Sequence, residues 1–177
     1  MTPFDQAFAA TVGHEGKLSL VRRDRGNWTS GEVGRGELRG SFMGVSAMSY
    51  PHLDIAALTV ADVRNIFRRD FWGPVRGDEL PPALALLMAD AAYHSGVQQA
   101  ARWLQAAVGV AEDGVIGPAT LRAVAQARER EAELVVELLT QRALFLVGLG
   151  SWRDFGRGWL RRLFGLALQS RGMGTWT

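Results

Sequence analysis

Between Lys17 and Tyr50 the chain places glycine at positions 26, 31, 34, 36, 40 and 44, a spacing that breaks any helical period. That segment is expected to form a loop-rich lobe with a short hairpin. Almost everywhere else apolar residues recur every three or four positions, as one face of a helix requires. Thr2-Pro3 followed by Asp5 is a helix start, with a hydroxyl cap, proline in the first turn and an early acid. Phe4, Ala7, Phe8, Thr11 and Val12 continue it, and Gly16 is the expected stop. Thr59 and Asp62 resemble a capping box ahead of Val63, Ile66, Phe67 and Phe71, and Pro81-Pro82 opens another helix ending at Gly96. Residues 97–108, 118–128 and 133–147 read as three more, and Trp152, Phe155, Trp159 and Leu163 mark a last one. The expected fold class is mainly α with one small glycine-rich loop and β-hairpin lobe.

A chain of 177 residues, 47% hydrophobic and with six tryptophans, can bury one sizeable core, as one domain or two small ones. A boundary is expected within "GPVRGDELPP", residues 73–82, dividing a region 1–80 from a helical region 81–177 packed against it. Net charge is +2, which gives no uniform field for nucleic acid, and none is expected as a partner. The charge is nonetheless uneven: residues 151–177 carry five arginines and one aspartate, and the rest of the chain is slightly acidic. Without cysteine there is no disulfide, thiol nucleophile or thiolate zinc site. The first residues, "MTPFDQAFAATVGHEG", have neither a basic n-region nor a long apolar run, so no signal peptide is expected. "LVVELLTQRALFLVGLG" is interrupted by Glu137, Gln141 and Arg142, whereas a bilayer span needs about 20 nearly charge-free residues. It reads as a core helix.

The three histidines, 14, 52 and 94, are far apart and outside any H-E-x-x-H motif, so zinc hydrolysis lacks its ligands. The serine of "GVSAM" has no G-x-S-x-G elbow, and no phosphate-binding glycine loop joins a strand to a helix. Carboxylate chemistry remains. Hydrolysis of a glycosidic bond needs a protonated carboxyl to donate to the leaving oxygen and a second group to manage water or positive charge. Glu15 at a helix end and Asp24 nine positions on, in the polar lobe, offer such a pair. A helix C-terminus and partial burial raise a glutamate pKa, while a loop aspartate stays ionised. Spacing alone favours the plainer reading, with Glu15 a solvated helix end and Asp24 a turn residue.

The stretch "HEGKLSLVRRDRGNWTSGEVGRGELRGSFMGVSAMSYPHLDI", followed by "IFRRDFWGPVRGDELPPALALLMADAAYHSG", resembles glycoside hydrolase family 108, the phage-type and secretion-associated N-acetylmuramidases. The family pattern is E-G-G, a downstream D-x-G, T-x-x-G-I-S, a Y/F-W pair and an acidic F-D-A-A-x-N-x-G helix. "ARWLQAAVGVAEDGVIGPATLRAVAQ" is similar to the peptidoglycan-binding domain that usually completes these enzymes. Together the matches run to about Gly158. The resemblance implies a lysozyme-like helical fold, Glu15 as general acid, and Asp24 as the aspartate that follows it. Ser41 falls at the usual threonine, where a hydroxyl can hold the attacking water. Thr29 is the competing hydroxyl, at a lysozyme-like E-x8-D-x4-T spacing. The chain departs from the pattern at Lys17 for the second glycine, His94 for asparagine and Met88 for phenylalanine.

Tyr50 and Trp72 are the aromatic candidates for a sugar cleft, because pyranose rings stack on aromatic faces. Phe71 is assigned instead to the core stripe. Asp90 sits in an apolar helix, where an unpaired charge is costly, so a structural bond or ion pair at the cleft floor is expected of it, with His94 nearby. His14 adjoins Glu15, but helix neighbours point apart. "EDGVIGPATL" reads as a turn at Asp113-Gly114, a core plug at Ile116 and a helix start at Pro118. The basic tail is expected to dock as a final helix, with weak contact to an anionic membrane as the other reading.

The expected function is cleavage of the β-1,4 bond between N-acetylmuramic acid and N-acetylglucosamine in peptidoglycan glycan strands, by a monomer needing no cofactor and no metal. The protein would accumulate in the cytoplasm, be released by a holin or other release factor, and act on the wall in the periplasm, as a phage or phage-derived lysis protein does. Two rivals stay open. A lytic transglycosylase also uses one glutamate, and a non-catalytic wall-binding or morphogenesis protein would keep only the fold.

Overall fold

The hydroxyl of Thr2 accepts from the Asp5 backbone N–H at 3.1 Å, and the Asp5 carboxylate accepts from the Thr2 backbone N–H at 2.9 Å. This reciprocal cap starts α1, Pro3–Thr11, in a computed structural model that describes residues 1–13 and 16–174. Phe4, Ala7, Phe8 and Thr11 are the buried face of α1. The helix ends sooner than expected: Gly13, at φ +83°, takes the left-handed position that was assigned to Gly16. The elements that follow are β1 (Ser41–Phe42), β2 (Val45–Ser46), α2 (Val60–Phe67), α3 (Pro82–Ser95), α4 (Val97–Val108), α5 (Pro118–Gln126), α6 (Glu131–Val147) and α7 (Trp152–Arg171). The fold is mainly α and lysozyme-like, with one small antiparallel hairpin.

The chain divides into two compact units, residues 12–67 and residues 1–11 with 68–177. In the larger unit α3 is packed by α1, α4, α6 and α7. Its ten residues from Ala83 to Ala92 are all buried, so it is the central helix rather than a one-sided amphipathic one. Each large side chain it buries, such as Leu84, Leu86 or Met88, contributes roughly 1.5–3 kcal/mol. The unit is extended by a π-helical turn, Arg68–Trp72. The "EDGVIGPATL" reading holds: Gly114 adopts φ +81°, Ile116 is buried, and Pro118 begins α5.

In the smaller unit, β1 and β2 are joined through Met43 (φ +49°) and Gly44 (φ +84°), both left-handed, which matches the twist of a two-residue hairpin. Thr59 and Asp62 form the expected capping box of α2 through bonds of 2.6–3.2 Å. Val63, Ile66 and Phe67 are its buried stripe. Phe71 lies beyond the helix, in the π-turn.

Candidate active site

Asp24 precedes a short 3-10 turn, Arg25–Asn27, and its Oδ1 accepts from the Gly26 N–H at 2.8 Å. A Cβ on Gly26 would lie 3.2 Å from that oxygen, so the glycine of D-x-G lets the carboxylate close onto the backbone. Asp24 is exposed, and its Oδ2 has no partner among the described residues. One oxygen thus shapes the loop while the other can meet water.

The turn leads to Asn27, a fully buried polar residue that the sequence reading missed. Its carbonyl accepts from both the Arg39 and Gly40 N–H groups at 3.0 Å, and its Nδ2 donates to the Val21 carbonyl at 3.1 Å. The Nδ2 also reaches Ser19 Oγ at 3.5 Å, and Ser19 and Ser41 exchange both backbone hydrogen bonds, at 2.8 and 3.0 Å. Asn27 therefore ties the Asp24 turn to the strand that carries Ser41. The signal in the sequence was an amide inside a glycine-rich loop with no obvious partner, which is weak because asparagine is common in turns.

Ser41 is half-buried, and its hydroxyl has no hydrogen bond among the described residues. Thr29 differs: its Oγ1 accepts from the Glu37 N–H at 2.9 Å and closes the loop from 29 to 37. Gly36, at φ +72°, lies so close that a Cβ there would be 2.6 Å from Thr29 Oγ1. Tyr50 is half-buried, with its ring edge-on to His52 at 6.4 Å. Asp24, Thr29, Ser41 and Tyr50 all belong to the smaller unit.

Glu15 and His14 lie outside the described residues. The two residues that follow them in the E-G-K stretch are described. A Cβ on Gly16 would overlap Met43 Cγ, so any side chain there would have to displace the Met43 side chain. Lys17 is exposed and has no positive φ, so a side chain is accommodated where the family pattern has its second glycine.

Trp72, Asp90 and His94 belong to the larger unit, and here the structure corrects the expectations. Trp72 is 1% exposed. The Phe4 ring meets it edge-on at 5.4 Å, Gly77 packs against its ring, and its Nε1 donates to Asp78 Oδ1 at 3.0 Å. A ring so enclosed cannot stack on a sugar. The aromatic side chain that reaches water is Phe71, half-buried and edge-on to Tyr93 at 4.8 Å. Burial raises the Tyr93 phenol to about 12, so it stays a neutral donor at any working pH.

Asp90, expected at the floor of a sugar cleft, is fully buried and touches no solvent. Its Oδ2 accepts from Arg142 Nη1 at 2.5 Å, and Arg162 reaches it through Nε at 3.0 Å and through Nη2. Burial alone would raise this carboxyl, but the charges of Arg142 and Arg162 and the Arg162 hydrogen bond outweigh it and hold Asp90 ionised, below the usual carboxylate range. The ion-pair reading is the right one. His94 sits one turn further along α3, its Nε2 3.8 Å from Asp90 Oδ1. Burial pushes its imidazole down to about 4 against the pull of Asp90, and the two arginines add to the push. It is therefore neutral near pH 7. Among the described residues no group of His, Asp or Glu is arranged to hold a metal.

The comparisons with known proteins bear on this arrangement. Residues 8–96 match the family model Glycosyl hydrolase 108, and residues 99–164 match the Predicted Peptidoglycan domain. The chain is also similar to the solved structure of Brucella abortus SagA, at 29% identity and a TM-score of 0.81 over 97% of this chain and 95% of that one. No curated protein sequence matches it. The first model spans half of the chain and takes in Glu15, the Asp24 turn, the Ser41 strand and the Asp90 helix. The chain belongs to the glycosyl hydrolase 108 family and is a glycoside hydrolase directed at peptidoglycan.

Proposed function

We propose that the protein is an N-acetylmuramidase that hydrolyses the β-1,4 bond between N-acetylmuramic acid and N-acetylglucosamine, with Glu15 as the general acid. The observation that carries this is the family model, which spans Glu15, Asp24 and Ser41 together. Glu15 protonates the leaving oxygen, while Asp24 and Ser41 orient water and balance the positive charge that develops on the sugar ring. The unpartnered Ser41 hydroxyl favours Ser41 over Thr29 for the water, because Thr29 already closes its own loop. The exposed Asp24 Oδ2 supports the second role.

A lysis role, with release through a holin or other pore and action as a monomer on the wall, rests on the resemblance to the phage-type members. The assay is digestion of purified sacculi by wild type and Glu15→Gln, with mass spectrometry of the products. Muropeptides ending in reducing muramic acid are expected from wild type, and a loss of about 10²- to 10⁴-fold in the variant. Anhydro-muramyl ends would replace the hydrolase by a transglycosylase, and binding to sacculi without product would leave only a wall-binding protein.

A further inference from the structure

Helix α7 has two faces of different chemistry. One is docked: Gly156, Leu163, Leu166 and Ser170 are buried, and Arg162 turns inward to Asp90. The other is open to water. Along it, successive steps of four residues place Arg153, Arg157 and Arg161 in one row and Leu160, Phe164 and Leu168 in the row beside it. Phe164 is 67% exposed and Leu168 76%, although docking buries their neighbours Leu163 and Leu166. The three arginines are exposed and make no ion pair or hydrogen bond among the described residues. Side by side, the rows form an open groove running the length of the helix, with Trp152 at its start.

An apolar row flanked by unpaired guanidinium groups is complementary to a surface with an anionic outer layer and a hydrocarbon interior just beneath it. We propose that this outward face of α7 docks the protein on anionic phospholipid, with Phe164 and Leu168 entering the boundary between headgroups and acyl chains and the arginines meeting the phosphates. The helix would lie in the plane of the surface. Its 20 residues give a footprint of roughly 30 Å, and among the described residues no helix is long and apolar enough to cross a membrane. Arginine suits this place because its fork binds phosphate oxygens and its methylene stem covers apolar surface. The proposal requires that α7 remain folded against α3 and α6 while it binds, since Arg162, Leu163 and Leu166 hold the opposite face. Docking and lipid contact thus belong to different faces of one helix.

The test is flotation of the full-length protein with vesicles of phosphatidylglycerol and phosphatidylethanolamine, against vesicles of phosphatidylcholine. Three proteins are compared: wild type, the charge-reversed Arg153→Glu/Arg157→Glu/Arg161→Glu variant, and Phe164→Ser/Leu168→Ser. Circular dichroism and activity on soluble glycan fragments are expected to be unchanged in both variants, because neither touches the docked face. Wild type is expected to float with the anionic vesicles and not with phosphatidylcholine. The charge-reversed variant should lose on the order of a hundredfold in partitioning, at roughly fivefold per arginine, and the serine variant should also bind more weakly. Equal binding to both vesicle types, or no binding to either, would overturn the proposal. So would a wild-type dimer in sedimentation that the serine variant dissociates, which would assign the face to a second copy of the chain.

Discussion

Arg162 donates through Nη2 to the backbone carbonyl of Thr11, at 2.9 Å and across 151 positions of sequence, while its other contacts are with the buried Asp90 carboxylate. Thr11 is the last residue of α1, so its carbonyl is one of those that a helix leaves without an intrahelical donor. The guanidinium supplies that donor, and Asp90, itself held by Arg142, fixes the guanidinium. Four positions beyond Thr11 stands Glu15. The C-terminal end of α1, a few positions in sequence before the glutamate proposed as general acid, is therefore held by a side chain from the far end of the chain.

Arg162→Lys keeps the charge but cannot reach Asp90 and Thr11 with one planar fork. Steady-state kinetics on soluble glycan are expected to show kcat reduced by about tenfold with KM nearly unchanged, and a moved acidic limb of the pH–rate profile. Loss of stability with normal kcat in the remaining folded protein would make Arg162 purely structural.

Asp90→Asn leaves two arginines facing a neutral group in a buried site. Breaking a buried pair from one side costs about 3–5 kcal/mol. For a chain of this length a thermal melt should then shift by roughly 6–20 °C. Removing the charge from all three, with Asp90→Leu, Arg142→Met and Arg162→Met, should recover much of the loss, because no unpaired charge is left.

His94 is expected to make stability fall in acid. In the folded protein its imidazole is held at about 4, whereas in the unfolded chain it titrates near 6.5. Between those values the unfolded state binds more protons, so stability is full above about 6.5 and declines as pH drops toward 4. With 38% of the side chain in water the slope is shallow. Melting temperature against pH should be flatter over this window in His94→Gln, and an identical profile would show that another group titrates.

Ser41→Ala is expected to lower kcat without unfolding the lobe, since the hydroxyl supports no bond among the described residues. Thr29→Val removes the acceptor of the Glu37 N–H and should act first on stability, by about 1 kcal/mol. A larger kcat loss in Thr29→Val than in Ser41→Ala at equal folded fraction would exchange their roles.

Gly77→Ala places a methyl group into the ring of Trp72, which is buried and cannot move aside. Overpacking of this kind costs roughly 1–3 kcal/mol. Trp72→Phe should likewise cost stability, through the lost bond to Asp78, and leave KM unchanged because the ring meets no substrate. Chemical denaturation together with kinetics checks both.

Much of the fold was open to a reader of the residues because helix boundaries are local chemistry. The Thr2–Asp5 and Thr59–Asp62 caps, the prolines at the starts of α3 and α5, and the left-handed Gly114 each act within a few residues. The same locality misled at the end of α1, where Gly16 was the expected stop and the left-handed turn falls at Gly13 instead. In "FW" at 71–72 the helical stripe favoured burying Phe71, yet α2 passes into a π-turn that changes the angular step, and Trp72 became the buried ring.

The sequence by itself determined the mainly α class, the glycine-rich lobe, and the exclusion of thiol and H-E-x-x-H zinc chemistry, since each follows from which residues are present and how closely they repeat. Tertiary structure alone decided that Asp90 would pair with Arg142 and Arg162, 52 and 72 positions away, that Asn27 would bind the Asp24 turn to the Ser41 strand, and that α7 would keep one face for the core and leave the other open. For Asp90 and Asn27 the physical reason is the same. A buried charge or amide must find its partner wherever the packed chain brings one, and the distance along the sequence carries no information about where that will be.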